Sequence, residues 1–162
     1  MPEAYELFQQ LKQPEYVHVL LNPIPVYGTL CGIFALIVAL ILRSRPAQIV
    51  AYVIVILSSL SAWPVSEYGE QAYDRVYSMS NSDAQQWLKV HLHRVDRGVY
   101  VFYATAVVAV VALVLPWKLP RTQTRLAVAT LVLAIAALAV GGWISHAGGK
   151  VRHSEFRSNP PP

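Results

Sequence analysis

Apolar residues along these 162 positions gather into four long runs separated by short polar stretches. The first extends from about Ile24 to Leu42 and stops at Arg43 and Arg45; the second covers about Ile49 to Val65. The third covers about Val99 to Trp117 and the fourth about Leu126 to Ile144. Each is close to the roughly 20 residues that an α-helix needs to cross about 30 Å of hydrocarbon. None alternates polar and apolar positions, which argues against spanning strands. Helices also satisfy their own backbone groups in lipid. The pattern predicts an all-α fold, an integral membrane four-helix bundle over residues 17–156. An amphipathic segment, 1–16, precedes it and an extended tail, 157–162, follows.

The polar stretches refine that outline. Ala4, Leu7, Phe8 and Leu11 share one helical face, so the N-terminal segment is expected to lie on the membrane surface. With Glu3 and Glu6, no basic start and no apolar core, it does not read as a secretory signal. Ser80-Asn81-Ser82-Asp83 reads as a turn and helix cap leading into the third span. Gly148-Gly149 is expected to end the fourth helix. Gly28 and Gly32 form a GxxxG pair, and the fourth run carries Ala127, Ala129, Ala134, Ala136, Ala137 and Ala139. Small residues let helices approach closely in lipid. They serve packing within the bundle or a homo-oligomer seam through Gly28 and Gly32.

Composition agrees with a bilayer as solvent: 55% of residues are hydrophobic and 14% charged, against about 25% charged in soluble domains. The net charge of +4 does not indicate nucleic acid, because of where it lies. Arg43, Arg45, Lys118, Arg121 and Arg125 occupy the two short links with no acid among them. The opposite side holds eight basic and nine acidic residues. The positive-inside rule then puts both termini and the long loop from Ser66 to Gly98 on the extracytoplasmic side of a bacterial cytoplasmic (inner) membrane. Trp63, Trp117 and Trp143 sit near run ends, as interfacial rings do. Cys31 is the single cysteine, which excludes an internal disulfide and covalent c-type haem attachment.

The candidate chemistry is histidine. His18 precedes the first span, His91 and His93 precede the third, and His146 and His153 follow the fourth. With four crossings all five fall on one side, joined there by Glu67 and Glu70. Neutral imidazole ligates haem iron, zinc or copper. A bis-histidine haem needs rings from two helices facing across an apolar slot. His18 with His91, His93 or His146 meets that requirement. His91 and His93 lie two apart and point to different helix faces, so at most one enters the bundle. A zinc or copper site would draw on His18, His93 and His146. Arg152 and His153 flank the end of the fourth span, where Arg152 pairs either with Glu70 or with an anion such as a haem propionate.

The stretch His18-Val-Leu-Leu-Asn22-Pro-Ile-Pro25-Val-Tyr-Gly28 resembles the first-helix motif of a bacterial family of uncharacterised four-helix membrane proteins. Gly69-Glu70-Gln-Ala72, a histidine opening the third helix, and His146-x-Gly-Gly-x-x-Arg152-His153-x-Glu155 look like the same family, over residues 17 to 156. Members usually carry a second histidine where Pro23 stands here. Related membrane domains occur fused to cytochrome c modules, which implies redox company.

The expected function is therefore a b-type haem-binding membrane subunit that passes electrons at the extracytoplasmic face, alongside other membrane or redox subunits such as a cytochrome c. The competing expectations are a cofactor-free scaffold subunit of a larger complex and a zinc- or copper-binding protein. Nucleophile elbows and phosphate-cradling loops are missing from the sequence. No charged residue lies deep in an apolar run, which argues against a transporter.

Overall fold

The computed structural model describes residues 2–161. Met1, Pro162 and the side chains of residues 2–4, including the Ala4 end of the expected apolar face, lie outside them. All regular structure among the described residues is helical: α1 (Pro2–Gln10), α2 (Pro14–Leu21), α3 (Thr29–Ile41), α4 (Arg45–Leu60), α5 (Ala62–Met79), α6 (Ser82–Val114) and α7 (Gln123–Arg152). A π-helical turn, Ile24–Gly28, joins α2 to α3 where Pro23 and Pro25 remove backbone donors. α2 and α3 make one span, α4 and α5 the next, α6 the third and α7 the fourth. Each is long and apolar enough to cross a membrane, and the chain is a multi-pass membrane bundle.

These helices outrun the apolar stretches. The third span is 36 residues long, or about 54 Å at 1.5 Å per residue, against roughly 30 Å of hydrocarbon. The surplus corrects one expectation. The stretch from Ser66 to Gly98 is no loop but the continuation of α5 and α6, which meet at a tight turn. Asn81 closes that turn by accepting the Ala84 amide on its side chain at 2.9 Å, as a helix cap does. Glu15 of α2 and Arg75 of α5 pair at 2.6 Å across the same projecting end.

A second correction concerns Gly148 and Gly149, since α7 runs through both to Arg152. Two interior glycines cost a helix about 1 kcal/mol each. Packing against α6 offsets that cost, with Lys150 only 7% exposed and its ammonium 4.2 Å from the Trp87 ring centre. The helix ends at His153. Arg157 folds back there to donate to the Lys150 and Val151 carbonyls at 2.7 and 2.9 Å, filling acceptors that a helix end leaves open.

Span one packs on span two, and span three on span four, so the bundle is two helical hairpins. Gly28 and Gly32 belong to the first hairpin's seam. A methyl group on Gly28 would collide with the Ser58 side chain, and one on Gly32 with Val55. The GxxxG face is filled within the chain, which corrects the homo-oligomer seam through Gly28 and Gly32. Of the alanines in the fourth run, Ala127, Ala134 and Ala137 are fully buried, while Ala136 and Ala139 are exposed. At the far end from the histidines, the link between spans one and two is short because Arg43 takes a positive φ of 50°. The Ser44 amide then reaches Ala39 O and the Arg43 amide Leu40 O, a Schellman closure.

Candidate functional site

Two of the five histidines meet. His18 on α2 and His91 on α6 have ring centres 6.4 Å apart and ring planes 83° from parallel. Each is fixed in the same manner from the neighbouring helix of its own hairpin. His18 Nδ1 lies 2.8 Å from the Val65 carbonyl oxygen, and His91 Nδ1 lies 3.1 Å from that of Ile144. A carbonyl can only accept, so in both rings Nδ1 carries the proton. Nε2 is left with its lone pair, the tautomer that metal-ligating histidines use.

Glycine makes room for both rings, four residues beyond each accepting carbonyl. A Cβ on Gly69 would stand 2.9 Å from His18 Nδ1, and one on Gly148 would stand 3.1 Å from His91 Cε1 and Nδ1. The unit is thus a histidine at the membrane-end portion of one helix, and on its partner a carbonyl followed four residues later by glycine. It occurs once in each hairpin. Along the chain the two copies share little beyond those residues, which is why no internal repeat stands out in the sequence.

Between the hairpins at this level lies a cavity of about 850 Å³, within the roughly 300–1,000 Å³ range of small-molecule and cofactor sites. His18 and His91 both line it. Its deeper wall is apolar, with Val26, Val99 and Phe102, while Asn81, Arg152 and Arg157 stand at its polar part. The tight turn at Ser80–Asn81 and the end of α7 bring those polar groups to the mouth.

The other sequence-predicted residues divide between the cavity and the surface. Glu70 and Arg152 line the cavity and are exposed. They form no ion pair, which corrects the Arg152–Glu70 clasp: the tail is held instead by Arg157. His93 faces outward beside Lys89, Arg94 and Trp143. His146 is exposed and lines no part of the cavity. His153 is bound to the tail, its Nδ1 2.9 Å from Glu155 Oε1. Hydrogen bonds from the Glu155 backbone amide, and next from His153, hold the Glu155 carboxyl below the usual range. His18, His93 and His146 therefore do not form a ligand trio. Among the described residues no three His, Cys, Asp or Glu side chains gather to hold a metal ion.

Sequence reasoning did not assign the two accepting carbonyls or the role of the glycines. A glycine facing a ring across a helix pair was the available signal, and at Gly148 it was read as a helix stop. A further grip lies beside His91. Arg94, one turn along α6, donates to the Trp143 carbonyl at 2.6 Å. His91 and Arg94 so hold consecutive carbonyls of α7. Comparison with protein-family models, curated proteins and solved structures returns no match for the chain.

Proposed function

We propose that the chain is a b-type haem-binding membrane subunit, in which His18 and His91 would hold the haem iron and electron transfer at the extracytoplasmic face would be its role. The spacing of the two rings carries this reading. Two rings from different hairpins that each keep an Nε2 lone pair would be able to share one haem iron when they stand this close. The observed separation is 6.4 Å.

The residues present suit the group in three further ways. Both Nδ1 atoms are committed to carbonyls, which leaves both Nε2 atoms as donors. The cavity offers an apolar wall for a porphyrin and Arg152 at its polar part for a propionate. Gly69 and Gly148 remove the bulk that would tilt either ring. Bound haem supplies a one-electron couple. The chain's own residues orient the ligands, exclude water from the deep wall and balance the propionate charge. Zinc or copper has no comparable support, since a third protein ligand is missing from the neighbourhood of the pair.

The experiment is a reduced-minus-oxidised spectrum of protein purified in mild detergent from cells supplied with haem precursor. A low-spin α-band lost on His18→Ala and on His91→Ala is expected. Its absence from the wild type, with haem added to saturation, removes the proposal.

A further inference from the structure

Outside the bundle, on the other side of α6 from His91, lies a recess formed by Lys89, Val90, His93, Arg94 and Trp143. The residues that line it carry charge of one sign, with the exposed carboxylate of Asp96 one turn beyond His93. Lys89 and His93 are exposed and one helical turn apart, and Arg97 follows a turn later on the exposed surface. No acid lines the recess, and Lys89, Arg94 and Arg97 form no ion pair among the described residues. Arg94 is positioned for further bonding. Its guanidinium is 4.7 Å from the Trp143 ring centre, and Nη1 alone is used on the Trp143 carbonyl. The remaining N–H groups of a five-donor fork are available.

Position along the helices decides what such a recess meets. Trp143 sits near the end of the fourth apolar run and is 46% exposed, as an interfacial ring is. The cations lie on the part of α6 that precedes the third apolar run, a level that would meet the phosphates of the adjoining leaflet. We infer that this recess binds the headgroup of an anionic phospholipid. The phosphodiester is held by Lys89 and the free edge of Arg94, with His93 at the rim and the acyl chains running down the apolar faces of α6 and α7. A cation next to an anionic membrane surface contributes about 1 kcal/mol, and Arg94 fixed on the Trp143 ring, with Lys89 beside it over Tyr77, localises one lipid rather than a diffuse layer. The inference stands apart from the haem reading, because the recess shares no residue with the cavity between the hairpins.

Native mass spectrometry of the full chain released from detergent tests it, with phosphatidylglycerol and phosphatidylcholine as probes. One phosphatidylglycerol is expected to be retained, in preference to phosphatidylcholine. Lys89→Gln with Arg94→Gln should weaken retention about thirtyfold, roughly fivefold per cation removed. Arg121→Gln with Arg125→Gln, which removes as much charge at the opposite end, should leave it unchanged. Lys89→Gln with Arg97→Gln spares the α6–α7 contact and covers the case in which loss of Arg94 prevents folding; it should weaken retention at least fivefold. Equal losses in the two ends, equal retention of both lipids, or displacement of the lipid by millimolar inorganic phosphate would overturn the assignment.

Discussion

Arg45, in the first turn of α4, replaces the hydrogen bond that Pro116 denies to the end of α6. Pro116 has no N–H, so the Ala112 carbonyl four residues earlier loses its helical partner. Arg45 donates to that oxygen at 3.4 Å and to the Leu113 oxygen at 2.8 Å, with its guanidinium over the Tyr52 ring at 5.8 Å. Arg45→Gln is expected to cost about 1–3 kcal/mol, the range for leaving a buried acceptor unpaired. Pro116→Ala in the same chain should recover part of that loss by restoring the amide. Thermal unfolding in detergent of the two single variants and the double variant measures the coupling; strict additivity contradicts the assigned role.

The two paired histidines should separate from the other three in any cofactor assay. His18→Ala or His91→Ala should each abolish the six-coordinate low-spin spectrum. His93→Ala, His146→Ala and His153→Ala should leave it intact, since those rings are exposed and stand off the cavity. Electron paramagnetic resonance of the oxidised protein provides a finer check. Ring planes at 83° should give the strongly anisotropic signal of crossed imidazoles, and a signal of parallel rings counts against this pair.

Glycine substitutions distinguish room for a ring from helix propensity. Gly148→Ala places a methyl 3.1 Å from the His91 ring, and should weaken haem retention while leaving the helical content of the bundle intact. Gly142→Ala, less than two turns earlier on α7, meets nothing within 4 Å. It should raise stability by about 0.5–1 kcal/mol, as Gly to Ala does inside a helix. If both changes act alike on haem retention, the glycine at 148 is not there for the ring.

Arg43→Gly should stabilise the apo protein by about 1 kcal/mol, because a side chain in the left-handed region carries that order of strain and glycine does not. The Schellman bonds at Ala39 and Leu40 stay in place. Chemical unfolding in mixed micelles reads the change; a destabilised variant would show that the arginine side chain does more at this link than its backbone costs.

Much of the architecture was legible because membrane helices follow from length and hydropathy alone, and Leu126 to Ile144 needs no partner to be read as a span. The cap at Asn81 was equally local. What lay hidden was how far helices continue past the hydrocarbon. Glu67, Glu70, Asp74 and Arg75 look like loop composition, yet helical geometry persists because no proline interrupts that stretch and α2 packs alongside it. At the site, connectivity predicted that histidines share one end. It did not select His91 over His93, since a two-residue step changes the helix face and only the packing of α6 on α7 fixes which face turns inward. The carbonyls of Val65 and Ile144 have no sequence signature at all.

Each hairpin contributes a single imidazole, and the pair forms only where the two halves close on one another. The distance between those rings is therefore a gauge of how the halves are docked, and a group bridging them would act as a rivet. Slackening the bundle, by thinner lipid or by a loosened contact far from the cavity, pulls on both ends of that rivet at once. Bundle stability and the retention of a group bridging the rings would then rise and fall together, read at two places.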